Sequence, residues 1–122
     1  AQQVVLQKSQ KKKNNSKKIV VIDCGHGGSD AGAIGCFGIK EKDIVLSVGL
    51  RVAQLLQKAG MQVLLTRSDD TFVPLDERTS FANYHNADLF ISIHANYAQN
   101  VSAQGIDTFC MHAPLLHRED QL

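Results

Sequence analysis

The chain reads as an α/β protein: a mostly parallel twisted sheet with helices on both faces. Three observations predict this. Short apolar runs rich in β-branched residues alternate with longer segments of helical period, in the order strand, helix, strand, helix, strand. The length of 122 residues, 43% of them hydrophobic, suits one domain with one real core, though it is short for a complete layered α/β fold. Finally, His26 and His94 each fall just past the carboxyl end of an expected strand, where parallel sheets bind their ligands.

Residues 1–18 show no sustained periodicity and are rich in Lys, Gln, Asn and Ser. They read as a flexible basic N-terminal arm preceding a domain over 19–122. Ile19 to Asp23 is the first expected strand. A loop over residues 24–40 follows, carrying Gly25, Gly27, Gly28, Gly32, Gly35 and Gly38. That density marks backbone held close to something or turning through positive φ. Glu41 to Ala59 has the period of a helix, with Ile44, Val48, Val52, Leu55, Leu56 and Ala59 expected on its inner face. Glu41 and Asp43 suit its first turn, and Gly60 suits the position after its end. Met61 to Thr66 is the second strand. Leu75 to Tyr84 is a short helix with Pro74 near its start and Leu75, Thr79 and Ala82 on one side. Ala87 to Ile93 is the third strand, and Gly105 to Met111 a fourth.

The charge is unevenly placed. Lys8, Lys11, Lys12, Lys13, Lys17 and Lys18 precede Ile19, where no acidic residue occurs, while the remaining seven basic residues face all twelve acidic ones. The basic character therefore belongs to the arm. No aromatic residue interleaves with those lysines, so nucleic acid has no stacking platform there, and attraction to an anionic polymer is the functional alternative to a solvated leader. No apolar run reaches the roughly 20 residues of a transmembrane segment. The start at Ala1 suits an exported protein after signal removal, or any trimmed chain. Three cysteines without a CxxC pair imply no disulfide framework.

Two imidazoles and one carboxylate are a donor set for catalytic Zn²⁺, which keeps three protein ligands and one open position. His26, Glu41 and His94 supply such a set, although gaps this long match no short zinc motif. Each also has an ordinary reading: a loop histidine capping backbone, an acid at a helix N-terminus, a polar strand end. His85, His112 and His117 have no nameable partner and are taken as surface residues. A phosphate loop is excluded, because Gly25-His26-Gly27-Gly28 lacks the third glycine of GxGxxG and no helix begins before Glu41. Ser29 and Ser92 lack a nucleophile signature, and Cys24 reads as a small buried thiol rather than a nucleophile.

The motifs resemble those of a known family. Ile22-Asp23-Cys24-Gly25-His26-Gly27-Gly28, Asp30-Ala31-Gly32-Ala33 and Lys40-Glu41-Lys42-Asp43 are followed in order by Leu65-Thr66-Arg67, Leu75-Asp76-Glu77-Arg78, Ala82-Asn83, the run Ala87 to Asn96, and Gly105-Ile106. Together they are similar to the zinc-dependent N-acetylmuramoyl-L-alanine amidases of the Amidase_3 type, over roughly Lys18 to Met111.

The resemblance implies that His26, Glu41 and His94 bind Zn²⁺ and that Asn96 contacts substrate or supports a ligand. It implies hydrolysis of the amide between N-acetylmuramic acid and L-alanine of the peptidoglycan stem, in the periplasm or outside the cell. It also allows an activator protein as partner. Two departures stand out. Cys24 replaces the family's usual proline. The family's catalytic glutamate, in a later Glu-x-Gly-Phe-like segment, does not appear before Leu122, and Glu119 and Asp120 lie in a different context. The catalytic residue is thus unassigned, and 19–122 reads as the N-terminal part of the catalytic domain. A polypeptide of this extent is expected to bind zinc and turn over poorly or not at all. The alternative is a non-catalytic wall-binding module that keeps fold and metal.

Overall fold

In the computed structural model, which describes residues 16–110, the strand β1 (Ile19–Cys24) is the middle of a three-stranded parallel sheet. Burial explains its place: Val20, Val21, Ile22, Asp23 and Cys24 are all buried, as a strand covered on both faces requires. β2 (Gln62–Leu65) lies on one side, with Val20 opposite Val63, and β3 (Leu89–Ile93) on the other, with Val20 opposite Leu89.

The helix α1 (Glu41–Lys58) connects β1 to β2, and α2 (Leu75–Tyr84) connects β2 to β3. The two crossovers run in opposite directions across the sheet. With right-handed connections, that puts the helices on opposite faces. Side-chain alternation agrees. Val20, Ile22 and Cys24 pack with Val45, Leu46, Val52 and Leu56 of α1, while Asp23 points the other way and meets Arg78 of α2. Where strand order reverses, between β1 and β3, a crevice opens at their carboxyl ends.

α1 ends as its sequence suggests. Gly60 adopts φ 91°, its N–H bonds to the Gln57 carbonyl, and the Met61 N–H bonds to that of Leu56, which satisfies two otherwise unpaired acceptors. Its inner face differs from the expected one. The buried residues are Glu41, Lys42, Val45, Gly49 and Ala53, with Ile44, Val48 and Leu55 exposed. The cause is close approach to β1: a Cβ built on Gly49 would lie 2.2 Å from Cys24 Sγ. Small residues therefore line the contact.

α2 has the expected bounds but a different anchor. Leu75 is 82% exposed, and the buried residues are Arg78 and Ala82. An arginine wins because Asp23, buried in the sheet, needs a counter-charge. His85, taken as a surface group, is half-buried, with its ring 4.5 Å from that of Phe81.

Residues 105–110 form no strand, and Ile106 and Phe109 are exposed. A strand exists only through a partner's hydrogen bonds, and none of the described residues pairs with that segment. The basic arm up to residue 15 and the tail from 111, with His112, His117, Glu119 and Asp120, lie outside the described residues. No helix among those described is long and apolar enough to cross a membrane.

Candidate metal centre

Three separated residues meet at the crevice. β1 delivers His26 two residues past its end, the first turn of α1 delivers Glu41, and β3 delivers His94 one residue past its end. His26 Nε2 is 3.1 Å from Glu41 Oε1, His94 Nδ1 is 3.1 Å from the same oxygen, and the two nitrogens are 3.2 Å apart. Donors held by one Zn²⁺ at 2.0–2.1 Å in tetrahedral geometry sit about 3.3 Å apart. The observed triangle fits. Lone pairs facing one another at this distance repel unless a cation or a proton lies between them, so the donor chemistry also calls for a positive centre.

The surrounding backbone fixes each donor. His26 itself adopts φ 62°, a conformation uncommon outside glycine, and its Nδ1 lies 2.8 Å from Asp30 Oδ2. That contact keeps the proton on Nδ1 and leaves the Nε2 lone pair facing the other donors. Glu41 is buried; its Oε2 accepts from the Ala33 N–H at 2.9 Å and its Oε1 from the Ala95 N–H at 2.8 Å. Burial alone pushes the Glu41 carboxyl up, but these two N–H groups and the His26 imidazole outweigh it and hold the group below the ordinary range. The side chain is therefore a carboxylate. Asp30 is likewise held low, chiefly by its bond to His26 and then by the Gly32 N–H.

Two glycines make room for the donors. A Cβ on Gly25 would lie 2.3 Å from the His94 ring. One on Gly32, at φ 68°, would lie 2.7 Å from the His26 ring and 2.8 Å from Glu41 Oε2. The glycine-rich loop is thus a cradle around the three side chains.

Two buried arginines tie this loop to the rest of the fold. Arg67 donates to the carbonyls of Cys24, Gly25, Lys42 and Asp69. Arg78 donates to Asp23 and to the carbonyls of Cys24, His26 and Val73. Asp23 also accepts from Ser92 of β3 and from Thr66, the residue after β2, so one carboxylate ties β1 to both of its neighbours' ends. Sequence reasoning from chemistry missed both arginines. The signal available was that both lie inside the ordered motifs Leu65-Thr66-Arg67 and Leu75-Asp76-Glu77-Arg78.

Cys24 is fully buried beneath the loop, and burial pushes its thiol up despite Arg67 and Arg78 nearby. It is packing, not a nucleophile. Asn96, expected to contact substrate or support a ligand, is exposed two residues past His94, and its side chain makes no hydrogen bond among the described residues.

Fold and donors together define a class: a parallel α/β domain with a His/Glu/His group able to hold a metal ion at the strand carboxyl ends. The comparisons narrow it. The chain belongs to the Amidase_3 family, N-acetylmuramoyl-L-alanine amidase, whose model matches residues 20–122. It is 48% identical over 93 residues to the N-acetylmuramoyl-L-alanine amidase AmiA of Escherichia coli (strain K12), a match covering 76% of this chain and 32% of that protein. Among solved structures it is similar to the N-acetylmuramoyl-L-alanine amidase AmiC2 of Nostoc punctiforme, with TM-score 0.67 and 50% identity over 70% of this chain and 47% of that one. It is also similar to the CwlD amidase of Clostridioides difficile, solved in complex with the GerS lipoprotein. There the TM-score is 0.64 and the identity 32%, over 68% of this chain and 50% of that one. The chain thus spans about a third of the AmiA sequence and about half of the solved chains it resembles.

Proposed function

We propose that this chain carries the metal-holding part of a zinc-dependent peptidoglycan amidase, acting on the amide between N-acetylmuramic acid and L-alanine in the cell envelope or outside the cell. The observation that carries the reading is the triangle of His26, Glu41 and His94 donors, 3.1–3.2 Å on a side, in a member of an amidase family. Zinc is the ion favoured by two imidazoles and one carboxylate. When bound, it would polarise the amide carbonyl and make water available as a nucleophile near neutral pH.

The chain's own residues prepare for that chemistry. Asp30 sets the His26 tautomer. The N–H groups of Ala33 and Ala95 keep the Glu41 carboxylate aimed at the imidazoles. Arg67 and Arg78 hold the carbonyls from Cys24 to His26, so the loop keeps its shape when substrate arrives. Asn96 remains a proposed substrate contact. The relative solved with a lipoprotein supports a protein activator as a further partner.

The test is release of stem peptides from purified peptidoglycan by the zinc-loaded protein, analysed by mass. Peptides beginning with a free L-alanine amine support the reading. Cleavage only between sugars, or only within the peptide, would contradict it.

A further inference from the structure

The turn that follows His26 is gripped from outside as well as from within. His26, Gly27 and Gly28 take φ of 62°, 126° and 56°, three successive positive values that a chain adopts only where its surroundings dictate them. Gly27 and Asp30 exchange N–H to carbonyl bonds at 2.9 and 3.0 Å, so His26 enters the turn and its anchor Asp30 ends it. Gly28 lies between them. Its N–H donates to Asp70 Oδ1 and its carbonyl accepts from Lys42 Nζ, both at 2.8 Å. Lys42 Nζ also donates to Asp70 Oδ2 at 2.8 Å, which closes the three residues into a ring.

The backbone leaves no slack at this contact. A Cβ on Gly27 would lie 2.1 Å from the Thr71 carbonyl oxygen, and one on Gly28 2.9 Å from the Phe72 nitrogen. The turn therefore lies flush against residues 69–72, and Arg67 holds that segment in turn by donating to the Asp69 carbonyl at 2.8 Å.

Stability does not explain the ring. Lys42 is 8% exposed and sits in the first turn of α1, where the helix dipole disfavours a cation and burial disfavours any charge. The side chain of its partner Asp70 is more than half exposed, and ion pairs open to water contribute little. What the ring accomplishes is geometric. Lys42 directly follows Glu41, and its carbonyl accepts from Arg67 at 3.0 Å. One lysine thus joins the helix turn that carries Glu41 to the loop turn that carries His26 and Asp30.

We propose that Lys42 and Asp70 are positioning residues for the metal centre. Acting through Gly28, they fix the spacing of His26 and Glu41 in the zinc-free protein, so the ion meets a finished site instead of having to assemble one. This role rests on the zinc reading of His26, Glu41 and His94.

The experiment uses the full chain and the metal alone. Zinc affinity is measured by chelator competition, and the visible absorption of the Co²⁺-loaded protein reports donor geometry. The proteins compared are the parent, Asp70→Ala, Lys42→Met and Asp88→Asn. Asp70 faces solvent, so Asp70→Ala decides the matter if Lys42→Met fails to fold. Asp88 accepts from the Ile19 N–H at the amino end of β1, so Asp88→Asn lowers stability without touching the turn. Zinc affinity is expected to fall about tenfold in Asp70→Ala and Lys42→Met, the lower end of the range for groups that orient metal ligands, with an altered Co²⁺ spectrum. Asp88→Asn should match the parent in both. A merely structural role would lower the urea midpoint of all three variants and leave the spectrum and affinity of the folded protein alone. Parental affinity and an unaltered Co²⁺ spectrum in a folded Asp70→Ala protein would overturn the role and leave the metal centre standing. A parent chain that takes up no ion would remove both.

Discussion

Replacing Gly49 by alanine tests how α1 is seated, and with it how Glu41 is placed. In an exposed helix interior this change stabilises by about 1 kcal/mol. Here the new Cβ would lie 2.2 Å from Cys24 Sγ, far inside any normal contact, and the sulfur sits only two bonds from the main chain of a buried strand. Overpacking of this kind costs about 1–3 kcal/mol, toward the upper end when neither partner can swing away. The clash outweighs the propensity gain, so Gly49→Ala should destabilise by about 1–2 kcal/mol.

Removing the sulfur reverses the sign. With Cys24→Ala, the nearest atoms to the new Cβ are Ile22 Cγ2 at 3.5 Å and the Cβ of residue 24 at 3.8 Å, both ordinary contacts. In that background Gly49→Ala should stabilise by about 0.5–1 kcal/mol. Urea denaturation of the four proteins closes the cycle, with an expected coupling of about 2 kcal/mol. A stabilising Gly49→Ala in the presence of Cys24, or a coupling near zero, would refute the close seating of helix on strand.

Other perturbations address the loop and the surface. Arg78→Ala leaves buried Asp23 without its ion partner and should cost about 3–5 kcal/mol by urea denaturation; Arg78→Lys should recover little, because one ammonium cannot replace three separately used guanidinium nitrogens. Asp30→Ala removes the anchor of His26 Nδ1 and should weaken zinc binding about 10–100-fold in a chelator competition. Asp88 is held below the usual carboxylate range by the Ile19 N–H first and Lys18 second. Its native value lies below the unfolded one, so its stabilising effect is fully present above about pH 4 and fades as pH falls through the depressed value. Asp88→Asn should therefore lower the urea midpoint at pH 7, and the difference from the parent should shrink in acid.

The sheet was legible because its strands are apolar runs bounded by turns. The three strands and both helices fall within two residues of where periodicity put them. The meeting of His26, Glu41 and His94 was legible for a related reason: parallel strands bring their carboxyl ends to one edge whatever their distance in sequence. The inner face of α1 was not. From Ile44 to Ala53 nearly every position is apolar, so several stripes satisfy the period, and the choice is made by the small residues Gly49 and Ala53. Arg67 escaped because its partners are backbone carbonyls, which any sequence supplies, and Arg78 because its other acceptors are carbonyls and its one carboxylate partner, Asp23, is 55 residues away in the chain. The expected strand at Gly105 failed over its described part because apolar content alone creates no neighbour to pair with.

The central claim is that three distant side chains hold one ion. It is tested by zinc content after exhaustive dialysis against a weak chelator, measured for the parent chain and for His26→Ala, Glu41→Ala and His94→Ala. About one zinc per parent chain, and at least a hundredfold weaker retention in each variant with an unchanged circular dichroism spectrum, is the predicted result. Equal zinc content in the parent and in a well-folded His94→Ala protein would contradict it.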